Sequence, residues 1–249
     1  IGSTLGTHII EVGTDNTLTE RAYVPGRKQG LSVVHRDYHD YNGYLYAVGD
    51  QGPASLQIMD LSYLPDSVSV VYDSDSLVNT AHNVFIDSAK AKMYVLGPAG
   101  FAMTVYSLQN PELPVPLDTL FEVQYVHDAF VRNDTAYVHA GGEGMFVFDY
   151  SNASDPVLIG SLEFYPDKGY NHSGWLSEDG KTYVFADETE GARMKVCDVS
   201  DLSDIQVLSL FNSGVSDFTV PHNLMIKDSL VYVSHYNDGL QIFNINNPE

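Results

Sequence analysis

Apolar and polar residues alternate along most of the chain in short runs, each closed by Asn, Asp, Gly, Ser or Pro. Period-two runs of this length predict strands, and no stretch of useful length carries a helical period. One run recurs with a polar residue at its end: THIIEVG, LQIMDLS, MTVYSLQ, MFVFDYS, MKVCDVS and LQIFNIN. Its polar position falls at Glu11, Asp60, Ser107, Asp149, Asp198 and Asn244, in steps of 49, 47, 42, 49 and 46 residues. A steady period of this size marks a repeat architecture.

A second string precedes most of these copies: HRDYHDYNGYLYAV, AHNVFIDSAKAKMYVL, VHDAFVRNDTAYVHA, NHSGWLSEDGKTYVF and PHNLMIKDSLVYVS. Each reads as an alternating strand, a polar or Gly-bearing turn and a Tyr-containing strand, which is a hairpin. A short apolar strand follows the recurring run, as in VSVVYD, VPLDTLF, VLIGSLEF and IQVLSLF. Four antiparallel strands per unit predict an all-β fold, a β-propeller of four-stranded blades in one domain over 1–249. The units fall near 1–30, 31–78, 79–123, 124–168, 169–215 and 216–249. The first holds only third and fourth strands, and the last stops at NINNPE after its third. Because both ends carry a third strand, six blades with an incomplete terminal blade are expected, with five blades as the alternative.

Over nearly its whole length the chain resembles the LVIVD-repeat β-propellers, and more closely the choice-of-anchor B family of bacterial surface proteins. The carrying strings include STLGTHIIEV, VVHRDYHDYNGYLYAV, AHNVFIDSAKAKMYVLG, YNHSGWLSEDGKTYVFADETEG and PHNLMIKDSLVYVSHYNDGLQIF. The resemblance implies an extracellular or cell-surface bacterial protein. It brings no established reaction, so no catalytic residue is carried over.

Aligning the hairpins puts Arg36, His82, His127, His172 and His222 in one column, with Asp37, Asn83, Asp128, Ser173 and Asn223 in the next. In a propeller the first strand of each blade lines the central channel, so this column predicts a ring near one mouth. One function for it is a transition-metal site on His82, His127, His172 and His222, oriented by the second column. Arg36 does not ligate metals and would favour a carboxylate or phosphate instead. The alternative is structural, with each imidazole bonding the backbone of the neighbouring blade. The loop FADETEG offers Asp187, Glu188 and Glu190 as oxygen donors for calcium, although without EF-hand spacing. Asp60, Asp149, Asp198 and Asn244 are expected to cap the turn after the third strand.

Composition narrows the partners. Thirty-three acidic against 12 basic residues give a net charge of −21, which opposes binding to nucleic acid or anionic lipid. The single Cys197, in an otherwise apolar column, predicts a buried small hydrophobe. No apolar run is long enough to span a membrane, and no signal peptide is visible. HExxH, GxSxG, Walker A and helix-opening GxGxxG motifs are absent. The sequence therefore leads to a non-catalytic surface module for a protein or glycan, with a His-ring metalloprotein, an enzyme included, as the alternative. Its cofactor would be calcium or an axial transition metal.

Overall fold

The computed structural model describes residues 1–98 and 101–246, so the end of the sixth unit and its terminal NPE lie outside the described residues. Contact density divides the chain into two compact units, Ile1–Glu122 and Val123–Glu249, close to the expected boundary between the third and fourth repeats.

The first unit holds three antiparallel sheets. A two-stranded sheet joins β1 (Gly6–Val12) and β2 (Leu18–Pro25). The next contains β3 (Asp37–Tyr41), β4 (Tyr44–Val48), β5 (Leu56–Asp60) and β6 (Ser69–Ser74) in sequence order. The third contains β7 (Asn83–Asp87), β8 (Lys92–Leu96), β9 (Met103–Ser107) and β10 (Val115–Leu120).

The second unit repeats the plan with β11 (Asp128–Arg132), β12 (Thr135–His139), β13 (Met145–Asp149) and β14 (Val157–Leu162). A further four-stranded sheet follows: β15 (Asn171–Leu176), β16 (Thr182–Asp187), β17 (Met194–Asp198) and β18 (Gln206–Phe211). A three-stranded sheet of β19 (Pro221–Lys227), β20 (Leu230–His235) and β21 (Gly239–Asn244) completes it. Five sheets thus carry the blade pattern and β1–β2 is a partial sixth, which fits a five-blade count better than the six preferred from the sequence.

Local chemistry explains the regularity. Hairpin turns at Asn42–Gly43 and Asn133–Asp134 have positive φ at both central residues, the conformation that matches strand twist and that Asn, Asp and Gly tolerate. Every pairing of a third with a fourth strand shifts register at the same place, and the extra residue lies on the fourth strand: Arg21, Val71, Leu117, Ile159 and Leu208. A bulge repeated in this way bends the outer strand and increases sheet twist.

The turn caps form as the spacing predicts. Oxygens of Asp60, Ser107, Asp149, Asp198 and Asn244 each accept the backbone N–H two residues on, at 2.8, 3.3, 2.7, 2.9 and 2.9 Å. Glu11, with a longer side chain, pairs with Arg21 across its own hairpin instead.

Apolar faces of consecutive sheets form the cores. In the first unit Tyr46, Val48, Leu56 and Ile58 pack on Val84, Ile86, Met93 and Val95. In the second, Val184, Ala186, Met194 and Val196 pack on Leu224, Ile226, Val231 and Val233. Each Val, Leu, Ile or Met side chain among them contributes about 1.5–3 kcal/mol on full burial.

Cys197 is buried on β17, and loss of hydration pushes its thiol up to about 12. The folded protein should therefore resist a thiol reagent at pH 8 and label fully in denaturant. Rapid labelling of the native chain would refute the buried assignment. Among the described residues, no helix is long and apolar enough to cross a membrane.

Candidate functional site

The first column sits where first strands begin. Arg36, His82 and His127 immediately precede β3, β7 and β11, whereas His172 and His222 are the second residues of β15 and β19. Those two strands start earlier because register shifts near Asn171–Ser173 and Pro221–Leu224 absorb the additional residues. His82 and His127 still pair across their hairpins, donating backbone N–H to the carbonyls of Leu96 and His139 at 2.9 and 2.8 Å.

Two side chains of the second column bond across to a neighbouring sheet. Asp37 Oδ2 accepts the Val84 N–H of β7 at 2.8 Å, and Ser173 Oγ donates to the His222 carbonyl of β19 at 2.7 Å. Burial raises Asp37 to about 6, against the opposing pull of the Val84 and Tyr38 N–H groups. Asp128 accepts the Ala129 N–H, Asn83 is buried on β7, and Asn223 pairs through its backbone with Ser234.

In the first unit, the Arg36 guanidinium donates to the carbonyls of Ser3 and Lys28 at 3.0 and 2.6 Å, joining segments that flank β1–β2. His82 instead stacks on His35, with ring centroids 4.2 Å apart, and its Nδ1 lies 2.9 Å from Asp50 Oδ2. His35 belongs to no repeated column. Only its position one residue before the Arg36 column could have flagged it.

In the second unit three column residues come together. The His127 and His172 ring centroids are 4.1 Å apart, and those of His172 and His222 are 4.3 Å apart. Glu188 lies against them, with Oε2 3.5 Å from His172 Nε2 and Oε1 3.8 Å from His222 Nε2. His127 and His172 are buried, and His222 and Glu188 are partly exposed.

Beneath this row runs a polar network that sequence reasoning missed. Lys195 Nζ and Asp187 Oδ2 are 2.8 Å apart, and both side chains are fully buried. Asp187 also accepts the Gly169 N–H at 2.7 Å and the Tyr165 hydroxyl at 3.0 Å, while Lys195 donates to the Asp167 carbonyl at 2.8 Å. Asn171 receives His139 Nδ1–H at 2.7 Å, and His139 Nε2 accepts the Tyr183 hydroxyl at 2.9 Å. Burial lowers His139 to about 4, so a neutral imidazole fills the site. These bonds fix the loop from Phe164 to Tyr170.

The expected calcium donors do not converge. Asp187 is buried against Lys195, Glu188 faces the imidazoles, and Glu190 is exposed in the following loop. A cation bound through Asp187 would have to compete with an ammonium already in contact. Trp175 packs against Phe130 of the adjacent sheet, with ring centroids 4.9 Å apart.

Large exposed apolar side chains in the loops are unevenly placed. In the second unit Tyr125, Phe164, Tyr170, Val215, Phe218 and Tyr236 all lie in segments at the end where first strands begin. Among the described residues of that unit, no loop at the opposite end exposes one.

No protein-family model matches the chain, and no curated protein matches it. Solved structures do. A Bacteroides uniformis ATCC 8492 protein, provisionally named a 6-phosphogluconolactonase, is 14% identical over 96% of this chain and 74% of its own, with a TM-score of 0.74. A Lactobacillus plantarum protein is 13% identical over 96% and 80%, with a TM-score of 0.70. The WD40 β-propeller domain of Doa1 is 14% identical over 89% and 68%, with a TM-score of 0.62. At these identities the likeness shows the fold alone: an all-β propeller of four-stranded antiparallel blades.

Proposed function

We propose that the protein is an interaction module whose second unit presents the loop end bearing His127, His172 and His222 to a protein or glycan partner at the bacterial cell surface. The observation that carries this reading is the one-sided placement of exposed apolar loop residues in that unit. Clustered exposed apolar groups mark binding surfaces, and aromatic side chains supply large contact area with few rotors to order. The Phe164 loop is held in place by the Lys195–Asp187 network, so little order need be gained on binding. The surface setting rests on the resemblance to choice-of-anchor B proteins, and the charge of −21 disfavours a polyanionic partner.

The test places a photo-crosslinking residue at Phe218 or, at the opposite end, at Leu202, and exposes each protein to the envelope fraction of its host. A glycan array covers the other partner class. Adducts or glycan binding confined to the Phe218 end, and reduced about tenfold or more by Phe164→Ser with Phe218→Ser, are expected for a hot-spot pair. Equal crosslinking from both ends, or binding untouched by the double variant, would sink the reading.

A further inference from the structure

The His127–His172–Glu188 cluster has a donor set that loop recognition does not require. One ligand atom from each of these residues lies within 4.8 Å of the other two. The three come from different strand ends: His127 before β11, His172 in β15, and Glu188 directly after β16. Their meeting is a product of the fold, since 61 residues separate the first from the last.

Glu188 is held in place. Its backbone N–H donates to the Tyr170 carbonyl at 2.8 Å, and the Tyr236 hydroxyl donates to Oε1. Oε2 is the oxygen nearer His172 Nε2. A carboxylate steadied by an outer hydrogen bond is a recurring feature of metal ligands. His222, with Nε2 3.8 Å from Oε1, stands beside the set on the partly exposed side.

We propose that His127, His172 and Glu188 bind one divalent first-row transition ion, with His222 as the adjoining fourth donor. Two imidazole nitrogens and one carboxylate oxygen suit zinc or ferrous iron, and nitrogen donors disfavour calcium and magnesium. With metal–nitrogen bonds of about 2.0–2.1 Å, tetrahedral ligands lie about 3.3 Å apart. The 3.5 Å pair already approaches that spacing, and the wider edges, none above 4.8 Å, would have to shorten by about 1.5 Å at most around an ion. The carboxylate and two neutral imidazoles leave the occupied site with a single positive charge, which the acidic chain tolerates.

The first unit provides an internal comparison. His35, Asp50 and His82 offer the same donor types, but His82 Nδ1 is already closed on Asp50 at 2.9 Å and the two rings lie nearly parallel, at 10°. The proposal concerns the second-unit set, and the test separates the two.

The full chain, made without a histidine tag and stripped with chelator, is titrated with zinc by calorimetry and with Co²⁺ by visible absorption. One zinc equivalent should be bound that Glu188→Gln and His127→Gln weaken about tenfold or more, while Asp50→Asn retains it. Wild-type Co²⁺ should show the enhanced d–d bands of inner-sphere nitrogen and oxygen ligands. Glu188→Gln is nearly isosteric and partly exposed, and its circular dichroism and melting curve check that it folds. Zinc affinity unchanged by both substitutions, or Co²⁺ that keeps its aqueous spectrum with the wild-type chain, would overturn the site. Since metal is measured directly, failure here leaves the crosslinking test of the loop surface independent.

Discussion

Replacing Lys195 with methionine should destabilise the second unit by about 3–5 kcal/mol, because it leaves the buried Asp187 carboxylate without its cation. Lys195 is the only cation in contact with that carboxylate among the described residues. The remaining donors, the Gly169 N–H, the Tyr165 hydroxyl and Asn171 Nδ2, are neutral and do not replace a full charge. Adding Asp187→Asn to Lys195→Met should recover much of the loss, since no isolated charge then remains. Urea unfolding followed by Trp175 fluorescence measures both, as the only Trp lies in this unit against Phe130. A single-variant loss under about 1 kcal/mol, or a double variant no more stable than the single, would show that the pair is not the mainstay described.

Acid should weaken the fold through His139. Its pKa is about 4 in the folded chain against a reference value of 6.5, with burial as the main cause. The unfolded chain therefore binds the additional proton between these values, so this contribution is full above pH 6.5 and is lost as pH falls towards 4. At about 1.4 kcal/mol per pKa unit, going from pH 7 to 4.5 should remove about 2–3 kcal/mol. Asp37 acts in the opposite sense: its folded value of about 6 lies above the reference 3.8, so protonation over that window stabilises the fold. The useful measurement is thus the difference between wild type and His139→Gln across the pH range. Stability curves that run parallel from pH 7 to 4.5 would contradict the assignment.

The buried network and the His–Glu cluster show the same limit of sequence reasoning. Lys195 occupies a third-strand position that elsewhere holds His8, Gln57, Thr104, Phe146 and Gln241, a mixed column that did not mark it as half of a buried ion pair. Asp187 looked like a member of an acidic loop, because in sequence it adjoins Glu188 and Glu190. Strand pairing separates them: Asp187 ends β16 and is buried opposite Asn171, while the next residue leaves the sheet.

What the chain determined by itself was everything set by local periodicity. Alternation fixed the strands, Asn, Asp and Gly fixed the hairpins, and the recurring Asp or Asn fixed the turn caps, because each depends on neighbours a few residues away. The column of His residues was equally visible, since an internal repeat reports equivalent positions without any structure. The tertiary structure alone decided which of those residues meet. It withdrew Arg36 to the carbonyls of Ser3 and Lys28, brought His35 onto His82, and set Glu188 against His172. Such contacts join segments 8 to 47 positions apart, and their formation depends on sheet packing and on one-residue register shifts at strand starts, which no repeat period encodes.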